Sequence, residues 1–378
     1  MRPTLAAARA RARAAISSWD SAGRVTSVND AAAFAVRVGE ELEAFAALQR
    51  ERLAPLGPRL FPFLDAAEAS ARGGKRLRAT FCRAGWTVAG GSGDEAAVVR
   101  ASAALEWLQA SALVHDDVID ASLTRRGNPA AHAAFAIAHR EQGWQGSPEA
   151  YGTGAAILLG DLLLSWSDEM FRTAGFAPEV VTRATPYLDA CKTEVVAGQF
   201  LDLVGGAIGQ SSVDEAMRVV RYKAAKYTVE RPLHLGAALA GAPAQTLDAL
   251  SAYALPVGEA FQLRDDVLGV FGDPEITGKP AGDDLREGKQ TVLVAHAYER
   301  ATLEQRATLD LGIGDPDLSP AAVDGLRDVI RDTGALRRLE DDIAALEDQA
   351  AAALALAPLA PYADELADLA SRAVRRTA

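Results

Sequence analysis

Apolar residues recur at helical spacing along most of the chain. In the segment 31–53, Phe34, Val38 and Leu42 lie four residues apart, which puts them on one face of a helix that stops before Pro55. The same periodicity predicts further helices over 94–120, 155–171, 179–203, 213–240 and 246–271, one beginning near residue 76, and two or three amphipathic helices after residue 291. No segment alternates as a strand would, and no repeat has a fixed period.

Glycine-rich and polar segments separate these helices. A turn at 90–93 precedes Asp94, which has the character of an N-cap, and 143–154 and 312–320 are predicted as a loop and a turn. The segment 272–289 combines glycines, prolines and charges and predicts a closing loop. The pattern as a whole predicts an all-α, single-domain bundle of about ten or more helices over residues 31–378, preceded by an Ala/Arg-rich N-terminal extension at 1–30.

Composition narrows the possible partners. A net charge of −12 argues against nucleic acid, which would require a broadly basic face. Every apolar stretch is interrupted well short of the roughly 20 residues that a transmembrane helix needs. The two cysteines, Cys82 and Cys191, lack any zinc or redox spacing and are predicted to be buried and reduced in a cytoplasmic protein.

Two buried-looking helices end in paired acids. The run from Ala104 is apolar on nearly all sides and then carries Asp116, Asp117 and Asp120 within one turn. Asp265 and Asp266 repeat the pattern. A solvated helix end is the ordinary explanation of such a charge pair, but the apolar approach to both pairs favours shared metal binding. Ligands that offer only oxygen suit Mg²⁺, which completes its shell with phosphates and water.

Basic residues accompany these acids. The sequence 73–78, Gly-Gly-Lys-Arg-Leu-Arg, stands at a predicted helix start, where free N–H groups and the helix dipole favour an anion. Arg125 and Arg126 follow the first acidic cluster by a few residues. Lys223 lies in the middle of a predicted helix, and Lys279 and Lys289 lie in the glycine-rich segment 272–289. Each alone would be a solvated charge, but together they indicate a phosphorylated substrate.

These motifs together resemble the polyprenyl (trans-isoprenyl) diphosphate synthase family, in particular its geranylgeranyl and farnesyl members, from about Leu42 to the C-terminus. The matching residues are Gly73-Gly74-Lys75 with Arg78, Asp116-Asp117-Val118-Ile119-Asp120, Leu123-Thr124-Arg125-Arg126-Gly127, Gly198-Gln199 with Asp202, Lys223, Phe261-Gln262, Asp265-Asp266 and the run 277–289. The resemblance implies helices packed around a central cavity, the class I isoprenoid synthase fold, and a homodimer. It also implies Mg²⁺-dependent head-to-tail condensation of isopentenyl diphosphate with dimethylallyl, geranyl or farnesyl diphosphate.

The resemblance also implies roles for individual residues. It makes Asp116, Asp120 and Asp265 the ligands of Mg²⁺ ions, three per site with bound diphosphate, supported by Asp117 and Asp266. It places Arg125, Lys223, Gln262 and Lys279 on the allylic diphosphate, with Lys289 in the closing loop. It places Lys75, Arg78, Gln109 and Arg126 on the isopentenyl diphosphate.

Four positions depart from the family pattern. Gln109 stands where many bacterial members have His, Ala224 replaces a Thr, and Ala79 replaces a Pro. Gly269 replaces the third acid of the second motif, which puts only a secondary role of that acid in doubt.

Product length is predicted from the helix that carries Asp116. One turn upstream lie Ser111 and Ala112, both small, where an aromatic residue in the family closes the pocket at farnesyl length. The next obstacle is Leu108, so geranylgeranyl diphosphate is the predicted main product, with farnesyl or a longer chain as alternatives. Small residues at these two positions could instead serve only close helix packing.

Three other functions compete with this prediction. A class I terpene cyclase shares the fold but has no use for the second diphosphate site at Lys75 and Arg78. A non-catalytic partner subunit of a heteromeric prenyltransferase typically loses an aspartate motif, whereas both pairs are intact here. A metal-buffering helical protein would leave the arginine pattern unexplained.

Overall fold

The computed structural model describes residues 24–272 and 282–374. Most of the predicted extension at 1–30 lies outside these residues, as does Lys279, and residues 24–30 form the first turns of α1. Over the described residues the chain is almost entirely helical, which confirms the all-α prediction. No described helix has the length and apolar character needed to cross a membrane.

The helices follow one another with short connections. They are α1 (Arg24–Leu53), α2 (Phe61–Ser70), α3 (Leu77–Val88), α4 (Glu95–Ile119), α5 (Ala131–Glu141), α6 (Pro148–Arg172), α7 (Pro178–Ile208), α8 (Val213–Val219), a π-helix (Val220–Glu230), α9 (Arg231–Leu239), α10 (Ala244–Phe271), α11 (Asp283–Arg286), α12 (Val292–Arg300), α13 (Leu303–Gly312), α14 (Pro320–Asp332), α15 (Ala335–Ala353) and α16 (Ala363–Val374). A two-residue antiparallel hairpin, β1 (Thr124–Arg125) and β2 (Asn128–Pro129), follows α4.

The predicted loop at 143–154 is wrong in its second half, because α6 begins at Pro148. The Ser147 hydroxyl accepts a hydrogen bond from the Ala150 N–H, and Pro148 occupies the first helical position, where no N–H is needed. Gly152 and Gly154 therefore lie inside a helix. Three helices, α2, α5 and α11, lie outside the segments predicted as helical, and α11 falls within the predicted closing loop at 272–289. The predicted helix at 213–240 is divided into α8, the π-helix and α9.

The described residues form two compact units. The N-terminal unit comprises 24–184 with 238–241, and the C-terminal unit comprises 185–237, 242–272 and 282–374. In the N-terminal unit α4 is the central helix, packed against α1, α3, α5 and α6. The rings of Trp107 and Trp166 meet edge to face at 5.1 Å, and Phe45 packs on both, so α1, α4 and α6 share one aromatic core.

In the C-terminal unit α10 is the central helix. It packs against the π-helix, α15 and α16, and its residue Tyr253 is fully buried. The Tyr253 hydroxyl donates a 2.6 Å hydrogen bond to the Leu366 carbonyl in α16, which satisfies the phenol inside an otherwise apolar core.

Candidate active site

The first acidic motif stands at the C-terminal end of α4, next to the β-hairpin. Asp117 is buried, whereas Asp116 and Asp120 keep part of their surface exposed. Arg125 of β1 donates from Nε to Asp117 Oδ1 at 2.9 Å and from Nη2 to the same oxygen. Its Nη2 also lies 3.7 Å from Asp116 Oδ2. The hairpin thus holds a guanidinium against two of the three acids of the motif.

The pKa of Arg125 depends on its burial and on the acidic residues around it. Burial alone would lower the pKa of the Arg125 guanidinium. The hydrogen bonds to Asp117 and the charges of Asp117, Asp116 and Asp120 more than offset that effect, so the pKa is raised. Arg125 therefore stays charged, and its charge reduces the repulsion among three neighbouring carboxylates.

The glycine-rich turn at 73–78 leads into α3 and carries one basic side chain that supports the fold and two that solvent can reach. Arg76 pairs with the buried Glu106 of α4 at 3.3 Å, and the other oxygen of Glu106 accepts a hydrogen bond from the Ala79 N–H at 3.3 Å. Arg76 therefore fixes the start of α3. Lys75 is exposed and Arg78 is half-buried in the first turn of α3. Sequence reasoning missed Glu106, although an acid within an apolar run signals such a buried pair.

Arg126 lies against the same glycine turn. Its Nη1 donates to the Arg72 carbonyl at 3.2 Å, and a Cβ atom at Gly74 would stand 3.4 Å from its Nη2. The turn around Gly74 therefore leaves room for the guanidinium because it has no side chain there. The structure brings together Arg126 and the 73–78 turn, two elements that are about fifty residues apart in sequence.

Backbone strain is concentrated at these same segments. Within the described ranges, the non-glycine residues with positive φ are Arg76 (52°), Ala121 (52°) and Arg126 (53°). One lies in the glycine turn, one directly follows the first acidic motif, and one lies at the turn of the hairpin. Left-handed backbone costs a non-glycine residue on the order of 1 kcal/mol or more, and such residues cluster at functional sites.

Two stripes of α4 have different surroundings. Ala104, Trp107, Ser111 and His115 face α6: the Ala104 carbonyl accepts from Ser167, Trp107 meets Trp166, and the Ser111 hydroxyl donates to the Gly160 carbonyl at 2.8 Å. His115 lies so close to Gly160 that a Cβ atom there would be 2.1 Å from its Nε2. The side chain of Ser111 is therefore part of the contact between the two helices.

The other stripe of α4 leads to Asp116. Gln109, Ala112 and Asp116 lie three and four residues apart, and each keeps part of its surface exposed. Leu108 lies one turn before Ala112 and is 3% exposed. Of the two small residues predicted to set product length, only Ala112 lies on this accessible stripe.

The second acidic motif lies near the C-terminal end of α10, in the C-terminal unit. Asp266 is 4% exposed; its Oδ1 accepts a 2.9 Å hydrogen bond from Gln262 Nε2, and its Oδ2 is buried with no hydrogen-bond partner. Burial, together with the charges of Asp284, Asp265 and Asp202, raises the pKa of Asp266 to about 8, although the hydrogen bond from Gln262 opposes this shift. A bound cation would stabilise the charged form of this buried carboxylate.

Lys223 lies on the π-helix beside α7. A Cβ atom at Gly198 would be 2.5 Å from the Lys223 backbone nitrogen, so only glycine permits this approach of the two helices. One turn along α7, Asp202 Oδ2 accepts a 2.5 Å hydrogen bond from Lys223 Nζ. Wide π turns are frequent at functional sites, and this one carries a lysine with an acidic partner.

Lys289 follows α11 in the C-terminal unit. Its Nζ lies 2.5 Å from Glu287 Oε2 and 3.7 Å from Asp284 Oδ1. Neither Glu287 nor Asp284 was singled out from the sequence.

The donor set fits a hard divalent cation. All candidate ligands are carboxylates, and the buried Oδ2 of Asp266 has its hydrogen-bonding capacity unused. Among the described residues, no three side chains of Asp, Glu, His or Cys stand close enough together to hold a metal ion by themselves. Mg²⁺ at such a site would complete its shell with phosphate oxygens and water, as it commonly does.

Comparison with known proteins gives a consistent result. The family model for polyprenyl synthetase matches residues 63–330. The chain is 33% identical to geranylfarnesyl diphosphate synthase of Aeropyrum pernix over 267 residues, 70% of this chain and 77% of that protein. It is 30% identical to octaprenyl diphosphate synthase of Escherichia coli, over 80% of this chain and 86% of that one.

Solved structures agree with the sequence comparison. Geranylgeranyl pyrophosphate synthase from Corynebacterium glutamicum, solved with isoprenyl diphosphate and magnesium, superposes with a TM-score of 0.86 at 39% identity. The superposition covers 91% of this chain and 99% of that one. This chain therefore belongs to the polyprenyl synthetase family, and it is a prenyltransferase.

Proposed function

We propose that this protein condenses isopentenyl diphosphate with allylic diphosphates, head to tail and with Mg²⁺, and that its main product is geranylgeranyl diphosphate. The proposal includes three Mg²⁺ ions per site, one catalytic domain over residues 31–378, a homodimer and a cytoplasmic location. The relatives described above make products of several lengths, so the chain length rests on this protein's own residues.

The observation that carries the proposal is that each unit pairs an acidic motif with a cation held by a carboxylate. In the N-terminal unit Arg125 bonds Asp117. In the C-terminal unit Lys223 bonds Asp202, whose charge acts on Asp266. Carboxylates for metal and cations for phosphate oxygens are the two components that diphosphate binding needs.

The two diphosphates are assigned to different residues. Asp116, Asp120 and Asp265 are proposed as metal ligands, supported by Asp117 and Asp266. Arg125, Lys223, Gln262 and Lys279 are proposed to bind the allylic diphosphate, and Lys289 is proposed to belong to the closing loop. Lys75, Arg78, Gln109 and Arg126 are proposed to bind isopentenyl diphosphate, and the contact between Arg126 and the 73–78 turn supports this grouping.

The reaction needs charge stabilisation and exclusion of water. Breaking the allylic C–O bond leaves negative charge on the departing diphosphate and positive charge on the allyl group. Mg²⁺, when bound, supplies Lewis-acid stabilisation of the departing oxygens. Arg125 and Lys223 add fixed positive charge, and residues at the 73–78 turn hold the isopentenyl double bond in position for attack. The isopentenyl double bond forms the new C–C bond to the allylic carbon, and the released diphosphate takes the proton that the resulting cation loses.

Substrate dependence tests this function. Purified protein should release diphosphate only when both substrates and Mg²⁺ are present, and chelation by EDTA should abolish release. Release from the allylic substrate alone would indicate a cyclase instead. Absence of release under all conditions, from protein with a cooperative unfolding transition, would favour the partner-subunit function. Asp116→Asn serves as the inactive control because it removes one charged ligand and little volume.

A further inference from the structure

The π-helix at Val220–Glu230 is held on two sides by glycines of neighbouring helices. A Cβ atom at Gly198 of α7 would lie 2.5 Å from the Lys223 backbone nitrogen, and one at Gly258 of α10 would lie 2.5 Å from the Ala225 Cα atom. The nearest atom in each contact belongs to the backbone, so it could not move aside as the end of a long side chain could. Because π-helices rarely exceed a single turn, one of eleven residues requires such support.

One carboxylate binds both residues that close the last turn of this helix. The Arg231 N–H donates to the Lys226 carbonyl, a hydrogen bond between residues five apart. Glu194 of α7 binds the side chains of the same two residues: Oε1 accepts from Lys226 Nζ at 3.0 Å and from Arg231 Nη2 at 2.7 Å, and Oε2 accepts from Arg231 Nε at 2.6 Å. On an α-helix, side chains five residues apart point about 140° away from each other. The wider π turn brings them to one side, so Glu194 favours the π register over the α register.

The charges around Glu194 are balanced and partly or fully buried. Glu230 is 4% exposed, and its Oε2 lies 3.7 Å from Lys226 Nζ and 3.8 Å from Arg231 Nη1, so two carboxylates face two cations. Burial alone would raise the pKa of Glu194, but the hydrogen bonds from Arg231 and Lys226 lower it overall, and Glu194 stays ionised. Buried ion pairs add little net stability compared with apolar packing, and their best-attested use is to fix a register.

The register of the π-helix determines where Lys223 points. Its Nζ donates a 2.5 Å hydrogen bond to Asp202 Oδ2, about two turns after Glu194 on α7. Conversion of the segment between Lys223 and Arg231 to an α-helix would rotate Lys223 by about 100° or more around the axis, because the two helix types differ in residues per turn. Lys223 would then lose Asp202. The pairing of Lys223 with Asp202 therefore depends on the turn that Glu194 closes.

We infer that Glu194 is a positioning residue of the active site: it holds the π turn that directs Lys223 towards the allylic diphosphate. The inference rests on the proposed function, in which Lys223 binds that substrate. Glu194 acts through Lys223 and does not need to touch a substrate itself. An ion pair that served stability alone would affect both substrates equally.

Steady-state kinetics with each substrate varied in turn tests the inference. Glu194→Gln removes the charge and keeps the size of the side chain. It should raise KM for the allylic diphosphate about tenfold or more, since small misplacements caused by remote substitutions can cost up to about a hundredfold. KM for isopentenyl diphosphate should change little. The matched control is Asp189→Asn, the same charge change on α7 at an exposed residue paired with Lys192, which should leave both KM values within about twofold of wild type.

A double-variant cycle with Lys223→Ala separates positioning from stability. If Glu194 acts through Lys223, Glu194→Gln should add less than about twofold to the loss in Lys223→Ala, because residues that act as one unit are not additive. Lys226→Met removes one of the two cations at similar length, should show the same split between substrates, and replaces Glu194→Gln if that protein does not fold.

Equal effects on both substrates, or a full effect of Glu194→Gln in the Lys223→Ala background, would overturn the inference. Unchanged kinetics of Glu194→Gln beside an active wild type would overturn it alone. A folded wild type without turnover would overturn the proposed function, and the inference with it.

Discussion

A phenylalanine at Ala112 should shorten the product, whereas one at Ser111 should damage the fold. Ala112 shares the partly exposed stripe of α4 with Asp116, and Ser111 is 3% exposed with its hydroxyl on the Gly160 carbonyl. The two positions are adjacent in sequence but differ by about 100° around the helix axis. A larger side chain at position 112 would contact the proposed product chain, whereas a larger side chain at position 111 would contact α6.

The magnitudes follow from helix geometry and packing. One turn of α4 is about 5.4 Å, comparable to one isoprene unit, so closing the stripe at Ala112 should remove one unit and give farnesyl diphosphate. At Ser111 the ring would be forced against a helix contact where Gly160 already lies in contact with His115. Overpacking costs about 1–3 kcal/mol, and the lost hydrogen bond to a buried carbonyl costs about 1 kcal/mol more.

Chromatography of dephosphorylated products and thermal unfolding provide the assay. Ala112→Phe should release farnesol-length product at a near-normal first-step rate, and Leu108→Ala should give longer chains. Ser111→Phe should melt several degrees lower, while Ser111→Ala, the control without added bulk, should leave product length unchanged. A Ser111→Phe protein that is as stable as wild type and makes farnesyl product would refute the distinction between the two stripes.

Three further predictions concern other parts of the site. Asp116→Asn should lower kcat by at least about a hundredfold with an unchanged melting temperature, since charged groups at a reacting centre contribute about 3 kcal/mol; near-normal turnover would contradict its role. Lys75→Ala should raise KM for isopentenyl diphosphate more than for the allylic substrate, and equal effects on both would mean that the two sites are wrongly divided. In metal-free protein, raising the pH from about 4 to about 8 should lower the free energy of unfolding, because Asp266, with its pKa at about 8, keeps a proton that the unfolded chain loses near 3.8. Urea unfolding at pH 5 and pH 8 should show this loss for wild type and not for Asp266→Asn.

Periodicity and local signals were sufficient for most of the fold. The apolar spacing after residue 31 predicted α1, and Asp94 caps α4 as expected, with its side chain accepting from the Ala96 N–H. The turn at 312–320 lies between α13 and α14. These features depend on residues close together in sequence, so they can be predicted without tertiary contacts.

Features that depend on tertiary packing could not be predicted in this way. The π-helix at Lys223 lies where Gly198 allows α7 to approach the Lys223 backbone, and no local sequence signal indicates that approach. In the sequence, Gly269 is visible only as the missing third acid of the second motif. The side chain that occupies the space next to Gly269 belongs to Asp284, fifteen positions later, and no local signal indicates that contact. The separate surroundings of Ser111 and Ala112 likewise depend on where α6 packs.

The most direct test of the account is the fate of labelled isopentenyl diphosphate. Purified protein supplied with it, farnesyl diphosphate and Mg²⁺ should incorporate label into a single main product of geranylgeranyl length, and EDTA should stop incorporation. With dimethylallyl diphosphate as primer, the same product should accumulate by way of shorter intermediates. No incorporation with any allylic primer, from folded protein with Mg²⁺ present, would contradict the proposed condensation.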